Sequence, residues 1–201
     1  NGKIFVSDGE KIQEILAVSD LRLRGEHNFG NIMAAIGATY FWGIGIQSIK
    51  KAVLNFSGIP HRLELVRKIG EVKYYNDTAA TTPESAISGI KSFSEPIVLI
   101  VGGADKNLDV SELAEVILKK TKQVIFLRGQ ATDKILEKIK KSVPEREFSV
   151  VSSMEEAVVL AERLAEDGDI VLLSPGASSF GLFQNEFDRG DKFREAVANL
   201  K

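Results

Sequence analysis

Two rhythms of apolar residues run along the chain. From Pro96 onward, short apolar runs alternate with amphipathic stretches. "PIVLIVGG" is followed by "SELAEVILKK", "QVIFLRG" by "DKILEKIKKS", "FSVV" by "MEEAVVLAERLAEDG", and "DIVLLSPG" by a last helical stretch toward Lys201. An apolar run too short for a helix reads as a strand covered on both faces. Its repeated alternation with helices predicts βαβ units, hence a mostly parallel sheet with helices on both faces and right-handed crossovers. Just ahead of this rhythm, residues 63–69 and 72–76 predict a hairpin turned at Gly70-Glu71.

The first part of the chain reads differently. Residues 1 to about 24 form short strands broken by Ser7-Asp8-Gly9-Glu10 turn chemistry. Residues 28–41 carry helical spacing, with Ile32, Ala35, Ile36 and Tyr40 on one face, and residues 46–54 predict a second helix. Gly58-Ile59-Pro60 then punctuates the chain, which places a domain boundary there: 1–58 and 59–201. The chain opens on Asn1 rather than methionine and runs straight into the strand-like Lys3-Ile4-Phe5-Val6, so it reads as an excerpt of a longer protein.

Composition narrows the function. With 201 residues, 44% of them apolar and 27% charged, the chain can bury one sizeable core or two small ones. The net charge of −2 leaves no basic field for nucleic acid or an anionic membrane surface, so any anion must be caught locally. The absence of cysteine removes disulfides, thiol catalysis and thiolate metal sites, and fits a reducing compartment. No apolar run approaches the roughly 20 residues that cross a bilayer, and no signal peptide opens the chain. A cytoplasmic, monomeric protein without nucleic-acid or membrane partners is the expectation.

In open α/β sheets ligands gather beyond the carboxyl ends of the strands, so the chemistry should lie in the loops that follow them. "GGADKNLD" offers two glycines for close backbone approach, the cation of Lys106, and Asp109 or Ser111 to cap the next helix. It reads either as a glycine turn with a solvated lysine or as a clamp for carboxylate or phosphate; it is no P-loop, which needs G-x-x-x-x-G-K-[ST]. "SPGASSF" places Ser174, Ser178 and Ser179 among small residues where hydroxyls and amides can converge on an anion. It lacks the G-x-S-x-G elbow, and neither His27 nor His61 has a visible serine partner, so a Ser-His-Asp hydrolase is disfavoured. In "YYNDTAATTPESA", Thr82, Pro83 and Glu84 make a complete helix start, yet that start leaves Asn76-Asp77 unexplained. Hydroxyl, amide and lysine donors on three loops suggest a small polyanionic ligand.

Five stretches in order, "GEHNFGNIMAAIGA" (25–38), "PHRLELV" (60–66), "YYNDTAATTPESA" (74–86), "LIVGGADKNLD" (99–109) and "LLSPGASSFGLFQNEFDRGDKF" (172–193), resemble the successive motifs of the Mur ligases. These are ATP-dependent amide ligases of peptidoglycan precursor synthesis. The N-D-[ST]-x-A-T turn and the G-G-x-D-K loop most resemble the branch that adds D-glutamate; branches adding other amino acids carry D-[DY]-[AY]-H turns. The resemblance implies a three-domain enzyme. Residues 1–58 would be the end of a central α/β ATPase domain and 59–201 a C-terminal Rossmann-like domain. The P-loop and the Mg2+ ligands would lie outside this chain, which alone should not catalyse.

The implied reaction adds D-glutamate to UDP-N-acetylmuramoyl-L-alanine through an acyl phosphate, with ATP and Mg2+ as cofactors. By resemblance, Asn28 and Asn31 contact the adenine, Arg62 reaches the nucleotide, and Asp77 accepts from the ribose hydroxyls. Thr81, Lys106 and Ser179 match the positions that hold the carboxylates of D-glutamate, and Lys106 and Arg62 are the candidate catalytic residues; no metal ligand is expected among the residues present. Ala79 stands where many members carry lysine, Gly181 where aspartate is frequent, and Glu186 where an aromatic often packs, with Phe187 one place later. The alternatives are another Mur ligase, a folylpolyglutamate synthase-like ligase, which lacks the "NDTAATTPE" pattern, or a non-catalytic binding module, against which Arg62, Asp77 and Lys106 together speak.

Overall fold

The computed structural model describes residues 2–201, and of Glu26 and His27 the backbone alone; Asn1 lies outside the described residues. The chain divides into two units, Asn1–Gly58 and Ile59–Lys201.

In the first unit β1 (Lys3–Ser7) and β2 (Ile12–Ala17) pair antiparallel. Asp8 closes their turn by accepting the N–H groups of Glu10 at 3.0 Å and Lys11 at 2.8 Å. These bonds, with one from the Tyr40 hydroxyl, hold its carboxyl below the ordinary value. A short 3-10 turn, Val18–Asp20, leads to α1 (Glu26–Phe41) and α2 (Ile46–Asn55). Ile4, Val6, Ile15, Leu16, Ile32, Ile36 and Ile49 form the core. Ala35, expected on the buried face, is exposed. A hairpin only two strands wide covers the i, i+4 row of Ile32, Ile36 and Tyr40 rather than a broad helical face.

The second unit follows the expected βαβ rhythm: β3 (Glu64–Ile69), β4 (Val72–Asn76), α3 (Pro83–Lys91), β5 (Ile97–Val101), α4 (Ser111–Lys120), β6 (Gln123–Leu127), α5 (Gln130–Ser142), β7 (Ser149–Val151), α6 (Met154–Leu164), β8 (Ile170–Leu173) and α7 (Glu186–Ala198). One six-stranded sheet runs in the order β3-β4-β8-β5-β6-β7, with β3 antiparallel to β4 and the other pairs parallel. Every residue of β5 and β8 is buried. Alternate residues of β5 serve opposite faces. Ile97, Leu99 and Val101 pack with apolar residues of α3, α4 and α5, whereas Val98 and Ile100 pack with those of α6 and α7.

The helices change face where the chain reverses its travel across the sheet. Steps from β4 through β5 and β6 to β7 use one face, and the return from β7 to β8 uses the other, as right-handed crossovers require. The return slots β8 between β4 and β5, with Leu173 level with both Asn76 and Ile100. Three strands therefore end side by side at the switch point of the order, the place where α/β sheets bind ligands. The Rossmann-like expectation holds for this unit.

Helix starts are locally encoded. Thr82 caps α3 by accepting from Ser85 N–H, with Pro83 following it, as expected. For α4 the cap position is Val110; Asp109 instead accepts the N–H and hydroxyl of Ser111. Asn185 caps α7 through Asp188 N–H while Asp188 takes the N–H of Gln184.

Candidate functional site

The loops after β4, β5 and β8 are sewn together by main-chain bonds. Gly176 N–H donates to Ala80 O at 2.8 Å, and Gly102 N–H to Pro175 O at 2.8 Å. Ala104 and Ser178 exchange bonds of 2.9 and 3.1 Å as an isolated antiparallel bridge. The loop of β5 is also fastened to the start of α5, where Gly103 O accepts from Ala131 N–H and Gly103 N–H donates to the buried Thr132 hydroxyl. The glycines here are required by distance. A Cβ on Gly103 would lie 2.4 Å from Ser178 O, and one on Gly129 2.1 Å from Gly103 O.

This sewing brings Thr81 and Lys106 together. The Lys106 ammonium donates to the Thr81 hydroxyl at 3.2 Å, 25 positions away in sequence. Lys106 is exposed, and its loop is braced by an ion pair between Asp105 and Lys134 and by Asn107 in the left-handed region at φ 58. Ser179 follows the Ser178 bridge directly and is 4% exposed. The three residues assigned to one ligand thus sit on three loops joined by the backbone.

Beneath them lies a buried polar floor. Asn76 donates to Gly190 O at 3.2 Å and lies 3.1 Å from His61 Nδ1, while its Oδ1 accepts Thr78 N–H. Asp77 accepts the Ser174 hydroxyl at 2.8 Å and Leu63 N–H at 3.1 Å. Burial pushes its carboxyl up from 3.8 to about 6, against the pull of these two bonds and of the Arg62 charge. Arg189 is fully buried: Nε donates to the Thr78 hydroxyl, Nη2 to Thr78 O and Nη1 to Ala177 O, at 2.9, 2.9 and 3.1 Å. Burial lowers its pKa to about 10. Among the described residues no buried side-chain nitrogen or oxygen lacks a partner, so the network is complete.

Arg62 points its chemistry outward from an unusual turn. It is exposed, and both of its neighbours are left-handed, His61 at φ 67 and Leu63 at φ 44. Leu63, expected as the first residue of the hairpin strand, is that strained residue instead, because its N–H is taken by Asp77 rather than by the ladder. In the first unit, Asn28 is buried near the start of α1 and donates to Arg24 O at 2.6 Å, while Asn31 is exposed. The side chain of His27 lies outside the described residues.

Sequence reading did not single out Arg189 or His61. Arg189 lies in a charged stretch, and its bonds to Thr78, 111 positions away, and to Ala177 show why it is buried. His61 was dismissed for want of a serine, whereas its neighbours are an amide and a carboxylate. Among the described residues no three acidic or histidine side chains cluster to hold a metal ion, and no helix is long and apolar enough to cross a membrane.

A family model described as Mur ligase, glutamate ligase domain matches residues 61–176, which contain the sewn loops of β4 and β5 and the start of the loop after β8. The chain belongs to the Mur ligase family. It is 48% identical, over 90% of its length, to a UDP-N-acetylmuramoylalanine–D-glutamate ligase of Roseiflexus sp. (strain RS-1), and covers 39% of that protein. It is 40% identical over its whole length to the protein of the same name from Clostridium botulinum (strain Loch Maree / Type A3), covering 44% of it. This Mur ligase chain therefore spans about two fifths of the length of those relatives. In fold it is similar to a UDP-N-acetylmuramate-alanine ligase of Thermotoga maritima, with TM-score 0.70 and 18% identity over 97% of this chain and 42% of that one. A folylpolyglutamate synthase of Thermotoga maritima gives TM-score 0.62 and 21% identity over 96% of this chain and 43% of that one.

Proposed function

We propose that this chain supplies the amino-acid-binding domain, and part of the nucleotide site, of an ATP-dependent ligase that joins D-glutamate to UDP-N-acetylmuramoyl-L-alanine. The observation that carries the reading is the 3.2 Å bond between Lys106 and Thr81, made across two loops that a third, bearing Ser179, completes. An ammonium and hydroxyls compensate the two carboxylates of a dianionic amino acid without acting as a base toward its amine. The names of the relatives agree with that ligand.

ATP supplies the phosphoryl group that turns the carboxylate of the nucleotide-linked substrate into an acyl phosphate. The amine of D-glutamate then attacks the acyl carbon, and the tetrahedral adduct collapses with loss of phosphate and a proton. Such chemistry rests on positioning and on neutralising charge. Lys106, Thr81 and Ser179 hold the amino acid so that its amine alone is free to move. The Arg62 fork, always charged and exposed, meets nucleotide phosphate. Asn31 offers a free amide to the adenine. Asn28 and Asp77 have internal partners, yet an amide and a carboxylate each keep unused hydrogen-bonding sites, which we assign to the adenine and the ribose. Magnesium would accompany ATP, and no step is assigned to it through the residues of this chain.

The test is phosphate release by the protein carrying this chain at the full length of its relatives, given ATP, magnesium, UDP-N-acetylmuramoyl-L-alanine and one amino acid. Turnover is expected with D-glutamate and lost with L-glutamate, L-lysine or a diamino acid. Equal turnover with any of these three overturns the assignment.

A further inference from the structure

We propose that His61, Glu64, Asp191 and Arg194 form a closed ring of positioning residues whose task is to hold Arg62 in its strained turn; this rests on the reading of Arg62 as a nucleotide contact. The ring consists of hydrogen bonds and one longer contact. His61 N–H donates to Glu64 Oε2 at 2.8 Å. Arg194 forks onto the same carboxylate, with Nη2 2.7 Å from Oε1 and 2.8 Å from Oε2, and Nε 3.2 Å from Oε1. Its remaining arm, Nη1, donates to Asp191 Oδ1 at 2.8 Å. That same Oδ1 lies 3.6 Å from His61 Nε2, too far for a hydrogen bond, and closes the circuit as a polar contact.

The geometry explains why a ring is needed. Left-handed non-glycine positions on both sides of one residue are strained and persist only where the surroundings over-determine them. Besides the His61 N–H, three further backbone groups of the turn are engaged: His61 O accepts from Ala79 N–H, Leu63 N–H donates to Asp77, and Arg62 N–H donates to Ile59 O. The imidazole is wedged as well. Its edge meets Phe187, and a Cβ on Gly190 would lie 2.2 Å from Nδ1. Asn76 fixes the tautomer. Its Oδ1 is taken by Thr78 N–H and its amide group donates to Gly190 O, so His61 Nδ1 faces a donor and accepts, leaving Nε2 to carry the proton toward Asp191. Arg62 makes no bond through its side chain within the ring and stays exposed, so the strain is spent on where the guanidinium points.

Glu64 and Arg194 are part-buried, and the contact is bidentate within a network, unlike an isolated surface pair. Breaking it should loosen the turn and act on whatever Arg62 binds. In the full-length protein, Arg62→Ala is expected to raise the apparent KM for ATP by roughly tenfold or more, and Arg194→Ala by about threefold to tenfold, with the KM for D-glutamate unchanged in both. The double variant should match Arg62→Ala alone, because residues that act through one another do not add. Additive effects, or an Arg194→Ala enzyme with an unaltered KM for ATP, would overturn the ring's role while leaving the ligase reading intact. An Arg62→Ala enzyme with an unaltered KM for ATP would instead overturn the nucleotide contact. If Arg194→Ala does not fold, Arg194→Lys keeps the charge but loses the fork, and the same outcomes decide.

Discussion

The floor and the rim of the strand-end site use polar residues in opposite ways. On the rim, Arg62 and Lys106 are exposed, and Lys106 has one long bond to Thr81. In the floor, Asn76, Asp77, Thr78, Ser174 and Arg189 are all buried and each is bonded across the sheet. The difference teaches where positioning comes from. A cation that must meet a ligand has to stay in water and keep its donors free, so it contributes little to the fold. The geometry is set one layer below, by groups whose partners would be costly to leave unpaired.

Substitutions should separate the two layers on a scale of stability. The largest effect is expected in the floor: Arg189→Met removes three donors from Thr78 and Ala177 and should cost about 3 kcal/mol or more in urea unfolding followed by circular dichroism. A loss below about 1 kcal/mol would mean the floor is no firmer than the rim.

Two glycines test how closely that layer is packed. Gly190→Ala would set a Cβ 2.2 Å from His61 Nδ1 and 2.5 Å from Thr78 Cγ2, and Gly89→Ala one 2.6 Å from Asp77 Oδ2 and 2.9 Å from Ser174 Oγ. Each should destabilise by about 2 kcal/mol, whereas Gly37→Ala in α1, with open space around it, should not destabilise at all.

Asp77 makes the comparison pH-dependent. Its carboxyl holds a proton up to about pH 6 in the folded chain, against 3.8 ordinarily. The stability this confers is complete below pH 3.8 and is lost as pH rises through about 6. Asp77→Asn, which cannot ionise, should therefore raise stability at pH 7.5 by about 2 kcal/mol relative to the parent and flatten the profile between pH 4 and 6. A parent profile that rises across that window would contradict a buried, proton-holding Asp77.

Of the two layers, the rim should show the smaller stability effect. Lys106→Ala should change unfolding free energy by less than about 0.5 kcal/mol while raising the KM for D-glutamate about tenfold and leaving that for ATP nearly unchanged. A collapse of ATP affinity would move the Lys106 loop out of the amino-acid site.

Much of the second unit was legible because local signals agreed. Apolar runs of β5, β6 and β8, the Thr82-Pro83-Glu84 start of α3, and the loops after each strand are readable from neighbours within a few residues. Lys106 stood out by its type and its place beyond β5, whereas Arg62, ahead of β3, entered by resemblance alone. The bonding of the floor was not legible. That Asp77 is also held from within by Ser174, 97 positions away, shows only in the structure. Asp109 or Ser111 was expected to cap α4, but Val110 takes the cap position and Asp109 binds Ser111.

By itself the sequence determined the element types, the parallel rhythm and which loops would carry polar donors, because periodicity and turn chemistry act over a few residues. Tertiary structure alone decided that β8 enters between β4 and β5, that Arg189 is buried rather than solvated, and that His61 and Leu63 accept left-handed backbone around Arg62. These outcomes rest on bonds between residues up to 130 positions apart, and desolvation gives such bonds their weight only after the chain has closed around them.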